Sequence, residues 1–326
     1  MSHYCTLFDS RYLVRGLLMI DALQCCSPGA TVYVLCMDAA SKGHMDGLGR
    51  SGLVAIGLEE FETEPLRRAK QNRTKAEYCW TCTPALIRFC LERYRLPECT
   101  YVDADLYFYR SPEIIRARMG KADVLITPHR FAPYCDTTEV AGRFCVQFMC
   151  FRATPHGLTA LRWWEDRCLE WCYARSEPGR FGDQKYLDDW PERFPGVHVE
   201  AGADTGVAPW NLASYELESE GPSGPVLRYG PESVHPVFYH FHAVKFWRNG
   251  VVDLGTNYRL PASAKTRLYL PYIRDLLRAD ARISDAGVRG QLYESRPRPK
   301  HYLLKRILWR LRGTDNVWRA ERPGEN

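Results

Sequence analysis

Apolar positions in the first half of the chain switch repeatedly between short continuous runs and helical spacing, the pattern of strands alternating with helices. "HYCTLF" (residues 3–8) reads as a strand and "YLVRGLLMIDALQCC" (12–26) as a helix. "ATVYVLCM" and "LVAIGL" read as two further strands. "TPALIRFCLERYRL" predicts a helix with Thr83 as N-cap, Pro84 at its first position and a stop before Pro97. It leads into "TYVDADLYFY" (100–109), an aromatic-rich strand interrupted by two carboxylates. "ADVLIT" and "FCVQFMCF" predict strands, "GLTALRWWEDRCLEWCYAR" a long helix and "GDQKYLDDW" a shorter one. The pattern loosens in the Gly-, Pro- and Ser-rich stretch from about 195 to 235, before a last strand, "VFYHFHAV", and a last helix, "AKTRLYLPYIRDLLRAD". Strands interleaved with helices imply an α/β sheet layered by helices.

Composition narrows the class without changing it. At 326 residues, 45% hydrophobic and 25% charged, the chain has the make-up of an ordinary globular protein able to bury a large core. The 13 cysteines are odd in number and sit mostly inside apolar segments, so they read as reduced core residues. The net charge of +5 is concentrated in "RPRPKHYLLKRILWRLR" near the end, which points to a local partner and away from nucleic acid. No apolar run approaches the roughly 20 residues of a bilayer span. "MSHYCTLFDSRYLVRGLL" carries charges where a secretory core would be apolar. The expectation is a cytoplasmic chain divided into a main folded domain, residues 1–280, and a basic tail, 281–326. In that tail Leu303, Leu304, Ile307, Leu308 and Leu311 follow helical spacing, with Lys305, Arg306, Arg310 and Arg312 around them. The helix either lies at the inner membrane surface or packs on the domain.

Two familiar patterns carry little. "GLGRSG" matches a dinucleotide-binding spacing at Gly47, Gly49 and Gly52, yet it precedes a strand instead of opening a helix. "CWTC" has thiol-redox spacing at Cys79 and Cys82, and a place ahead of a helix could lower the pKa of Cys82; the reading taken is core or loop packing, with redox chemistry the alternative.

Asp103 and Asp105 are harder to set aside. Residues two apart share a face if the strand continues, and converge if it ends. Two close carboxylates beside apolar residues call for a divalent cation or a basic partner. Oxygen ligands suit Mg²⁺ or Mn²⁺. The same reasoning places His240 and His242 on one face of the last strand, followed by Lys245, as a second wall for metal and phosphate. "GDQKYLDDW" adds Asp183, Gln184, Asp188 and Asp189, of which Asp183 and Asp188 do not share a helical face.

Taken in order, the opening strand and helix, the helix entering Asp-Ala-Asp, the Asp-Gln element and the late His strand with Lys resemble the GT-A fold glycosyltransferases. Within them the chain resembles the family 8 retaining enzymes related to glycogenin and bacterial lipopolysaccharide galactosyltransferases. The resemblance implies an α/β fold with a mixed central sheet flanked by helices. It also implies transfer of a sugar from a nucleotide-diphosphate donor, favouring a UDP-sugar, to a saccharide, lipid-linked or other hydroxyl acceptor. It assigns the base and ribose to Thr6, Phe8, Asp9 and Tyr12, and the metal to Asp103 and Asp105 with His240 or His242. Ala104 and Lys245 join the donor site, and Gln184 falls near the anomeric carbon. Trp210 and Asn211 in "PWNLASY" fall on the acceptor side, where a tryptophan face suits a sugar ring and buried packing is the alternative.

The departures are specific. From His240 to Lys245 the late motif is one residue short, and Phe246 stands where the family has proline. The family's arginine before Asp-Ala-Asp falls near Leu86, leaving the phosphate to Lys75 or Arg73, and Lys185 replaces an acidic residue. A retaining reaction needs no separate base; an inverting one would use Asp183 or Asp188. Two rivals stand beside this expectation: a sugar-1-phosphate nucleotidyltransferase, although "FDSRYLVRG" lacks a Gly-rich phosphate loop, and a degenerate domain that binds a nucleotide sugar without turnover.

Overall fold

The computed structural model describes residues 2–221, 224–247, 250–285, 292–293 and 302–319. Its centre is a seven-stranded sheet in the order β3-β2-β1-β4-β7-β6-β8. These strands are β1 (His3–Phe8), β2 (Thr31–Cys36), β3 (Leu53–Ile56), β4 (Glu98–Val102), β6 (Val124–Pro128), β7 (Phe144–Arg152) and β8 (Val197–Val199). The first four are parallel, and β7 runs antiparallel to both β4 and β6. Apart from His3 at its edge, β1 is buried throughout because both its faces are covered, which is why it reads as a continuous apolar run. Tyr4 and Phe8 join the core on the side of the helix Leu13–Cys26, while Cys5 and Leu7 join the core beneath the helix Lys75–Arg93. Gly16 permits the close seating of the first helix, since a Cβ there would lie 2.3 Å from the Phe8 ring.

Smaller pieces hang on this sheet. β5 (Leu106–Phe108) pairs antiparallel with β12 (Phe238–His240). β9 (Glu216–Gly221), β10 (Gly224–Tyr229) and β11 (Glu232–Val234) form a meander inside the stretch expected to be loose, which also holds β8. β13 (Lys245–Trp247), β14 (Val251–Asp253) and β15 (Val317–Arg319) form a third small sheet. Asn316, beside β15, donates to the carbonyls of Gly255 and Tyr258, so this part of the basic segment is stitched to the preceding domain. Residues 286–291, 294–301 and 320–326 of that segment lie outside the described residues.

Several elements differ from their sequence expectations. The helix before Asp-Ala-Asp starts at Lys75, not after Thr83. Thr74 and Glu77 close a reciprocal capping box there, a start signal strong enough to carry the helix through Pro84. "CWTC" therefore lies inside this helix, and burial raises Cys79 to about 12 and pushes Cys82 well up, the reverse of the shift expected for a helix start. The described cysteines are all free thiols, most of them buried, as expected. The long helix spans Pro155–Glu170, and "GDQKYLDDW" forms only a 3₁₀ turn, Lys185–Leu187, before the short helix Trp190–Arg193. Most consequential, both strands that carry the candidate ligands stop early. β4 ends at Val102 and the chain turns through Asp103–Asp105, closed by the Leu106 N–H on the Asp103 carbonyl. β12 ends at His240 and turns through Ala243, whose φ of 65° is a conformation that favours glycine.

Candidate active site

The site forms where these two turns meet, at the carboxyl end of β4 and next to β1, where strand order reverses. This is the crevice in which open α/β sheets bind ligands. Register does the assembly. β5 pairs His240 with Leu106, and the Phe241 N–H bonds to the Asp105 carbonyl, so the imidazole is delivered to the carboxylates by backbone pairing. His240 Nε2 lies 3.0 Å from Asp105 Oδ1 and 3.9 Å from Asp103 Oδ2. The His240 side chain is 5% exposed and that of Asp105 13%. Asp105, His240 and His242 offer ligand atoms that all lie within 4.8 Å of one another. Asp103 is turned partly aside, its Oδ1 accepting the Tyr101 hydroxyl at 2.9 Å.

Electrostatics at this junction centre on one proton. Burial opposes charge on His240, but Asp105, and behind it Asp103, hold its pKa well above the ordinary value. Burial likewise opposes charge on Asp105, and His240 overrides it, bringing the carboxyl down to about 2. Asp103, partly desolvated with its side chain 30% exposed and facing the Asp105 charge, rises to about 6 despite His240. His242, desolvated and next to the His240 charge, falls to about 4 and is neutral. An imidazolium proton thus sits between carboxylates where a metal cation would sit.

Other predicted residues divide into those near this centre and those with separate duties. Ala104 is buried in the Asp-Ala-Asp turn. Lys245 is exposed in β13, and its charge helps to depress His242, which puts it on the rim of the site. Asp183 is buried, and burial together with the Asp103 charge lifts its pKa to about 8. Gln184 donates to the Ala141 carbonyl at 2.8 Å. Asp188 accepts the Arg143 N–H and pairs with Lys185 at 2.9 Å, and Asp189 pairs with Arg193, so both acids are occupied in holding their own segment. Thr6 is buried inside β1, Phe8 packs on Gly16, and Asp9 pairs with Arg11 at 3.0 Å beside the half-exposed Tyr12. Lys75 is exposed at the first turn of its helix, whereas the Arg73 guanidinium stacks 3.8 Å over Tyr173 and bonds the Leu169 and Glu170 carbonyls. Leu86 is buried in the core.

Trp210 and Asn211 are not an open sugar platform. Trp210 is 4% exposed, donates to the His129 carbonyl and sets its ring edge-on to His240 at 5.2 Å and His242 at 5.6 Å. Asn211 accepts the Ala208 N–H and donates to the carbonyls of His129 and Gly206. Together they wall the histidines from behind.

No family model matches the chain. It is 30% identical over 285 residues to the uncharacterized protein YfnD of Bacillus subtilis (strain 168), covering 85% of this chain and 89% of that protein. The chain belongs to the YfnD family. YfnF of the same organism, also uncharacterized, is 27% identical over 283 residues, 84% of this chain and 90% of YfnF. Among solved structures, this YfnD-family chain is similar to galactosyltransferase LgtC in complex with donor and acceptor sugar analogs. The TM-score is 0.50 at 13% identity, covering 84% of this chain and 94% of that one. It is also similar to the apo-form glycosyltransferase GlyE of Streptococcus pneumoniae TIGR4. There the TM-score is 0.51 at 11% identity, over 89% and 64% of the two chains. The fold is that of the GT-A glycosyltransferases, as the sequence motifs implied.

Three residues at this junction escaped sequence reasoning: Tyr101, Arg15 and Gln147, whose carbonyl accepts the Asp103 N–H and whose Oε1 accepts from His240 Nδ1. Tyr101 looked like one more strand aromatic. Arg15 did leave a signal, a cation on the otherwise apolar buried face of the first helix. It donates to the Val244 carbonyl at 3.1 Å, packs under Tyr12 and Phe246, and supports the Asp105 charge.

The pH behaviour of Asp183 gives a direct check. Its folded pKa of about 8 lies above the roughly 4 of a free carboxyl. Between those values the folded protein therefore holds a proton that the unfolded chain releases, and stability falls as pH rises through the window. Asp183→Asn is expected to remove that fall, so its stability relative to the parent, measured by urea denaturation, increases from pH 5 to pH 9. An equal difference at both pH values contradicts the buried neutral acid.

Proposed function

We propose that the chain is a metal-dependent glycosyltransferase that moves a sugar from a nucleotide-diphosphate donor, a UDP-sugar in the first instance, to the hydroxyl of a saccharide or lipid-linked acceptor. The observation that carries this is the convergence of Asp105, His240 and His242 at the switch point of a GT-A sheet, with Lys245 on the rim. The donor set fits a divalent ion: one carboxylate and two imidazoles whose ligand atoms already cluster, with Asp103 at their side. Two imidazole nitrogens favour Mn²⁺ over Mg²⁺, which prefers an all-oxygen shell. A bound ion would supply charge neutralisation for the departing diphosphate.

The protein's own residues do the rest. Asp105 and His240 give the site its fixed geometry, and Lys245 adds positive charge beside the phosphates. Asp183 is protonated at neutral pH and Asp188 is engaged with Arg143 and Lys185, so neither is a ready general base. That favours a retaining course, in which the acceptor approaches on the leaving-group side and its proton passes to the diphosphate.

The expected result with a panel of nucleotide sugars and Mn²⁺ is release of nucleoside diphosphate that stops on chelation. Asp105→Asn and His240→Ala are expected to lower turnover about 100-fold or more while circular dichroism stays unchanged. Pyrophosphate release would favour a nucleotidyltransferase, and donor binding with no release from any sugar would contradict turnover altogether.

We also propose that the chain docks on the anionic inner face of the membrane through the helix Tyr302–Leu311, in keeping with the expected cytoplasmic location. Leu304, Ile307, Leu308 and Leu311 are all more than half exposed, and Lys305 and Arg312 flank them. Among the described residues no helix is long and apolar enough to cross a membrane. Co-sedimentation with phosphatidylglycerol vesicles is expected, with loss in Leu304→Glu/Leu308→Glu; equal sedimentation of that variant would contradict docking through this face.

A further inference from the structure

Gln147 stands out in β7, where Phe144 to Phe151 are all buried and every other side chain is apolar or a thiol. A fully buried carboxamide in the middle of a strand is costly unless its polar atoms are used. Both ends of this residue reach the site. Its backbone carbonyl accepts the Asp103 N–H at 3.0 Å, and its Oε1 accepts from His240 Nδ1 at 2.8 Å. Across the sheet, then, one residue of β7 touches the carboxylate turn and the late histidine at once. Its Nε2 has no partner and lies against Gly206, where a Cβ would come within 3.0 Å of it; the glycine, at φ 65°, leaves the space the amide needs. A site that needed only bulk here would be filled by leucine or methionine without an orphaned amide.

We propose that Gln147 is a positioning residue for the metal site. By accepting the Nδ1 proton of His240 it fixes the ring's rotation, so that Nε2 is the nitrogen presented to Asp105 and to the ion. Partners of this kind on the far nitrogen of a ligand histidine set its tautomer and typically tune metal affinity 10–100-fold. The inference rests on the metal-dependent reading above. Gln147→Leu keeps the volume and removes the acceptor, while Gln147→Glu keeps an acceptor for the same proton.

Titration calorimetry with Mn²⁺ is expected to show about 10–100-fold weaker binding for Gln147→Leu and near-parental binding for Gln147→Glu. Nitrogen-15 spectra of the Zn²⁺-loaded parent are expected to place the His240 proton on Nδ1, a test that stands even if the leucine variant does not fold. Parental affinity in a folded Gln147→Leu, or a His240 proton on Nε2 in the loaded protein, would overturn the assignment while leaving the metal site standing. A parent that binds no Mn²⁺ would overturn the metal reading and this inference with it.

Discussion

The contact between His240 and Asp105 is the constraint around which the candidate site is arranged. Burying an ion pair at the carboxyl end of a central strand is poor economy for stability, because desolvation offsets most of the attraction. The fold nevertheless invests several separate elements in it. The β5–β12 pairing sets the register, Trp210 packs edge-on against the imidazole, Gln147 holds its far nitrogen and Arg15 supports the carboxylate charge. An arrangement that costs free energy and is over-determined from four sides is what pre-organisation of a cation site requires.

The same constraint explains why both strands end where they do. Continued as strands, residues 100–109 would place the carboxylates side by side on one face, and residues 237–244 would do so for the imidazoles. Each turn instead brings its side chains together, Asp105 with His240 and His242, and Ala243 accepts a left-handed backbone to allow it. The positive φ there is local strain at the turn of the candidate site, consistent with the shortened motif between His240 and Lys245.

Much of this was legible in residue order. Strand and helix alternation, two-faced burial and the paired Asp-Ala-Asp and His-x-His signals specified an α/β sheet and the residues that meet at the carboxyl end of its central strands. What escaped was set by tertiary partners. The capping box at Thr74 and Glu77 outweighed the proline that suggested a later helix start. Trp210 left a sugar face and buried packing both open, because aromatic identity says nothing about burial, and the structure takes the second. Gln147 was hidden in a run of apolar letters, where a single amide gives no periodic signal and its use depends on a histidine far along the chain. Asp183 and Asp188 look alike in sequence, and only burial separates a neutral acid from an ion-paired one.

Anomalous diffraction from crystals grown with Mn²⁺ and a nucleoside diphosphate tests the central claim most directly. The account predicts one strong manganese peak within coordination distance of Asp105 and His240, with the diphosphate completing its shell. A crystal in which the diphosphate binds but manganese is absent from that junction, or lies elsewhere, would contradict it.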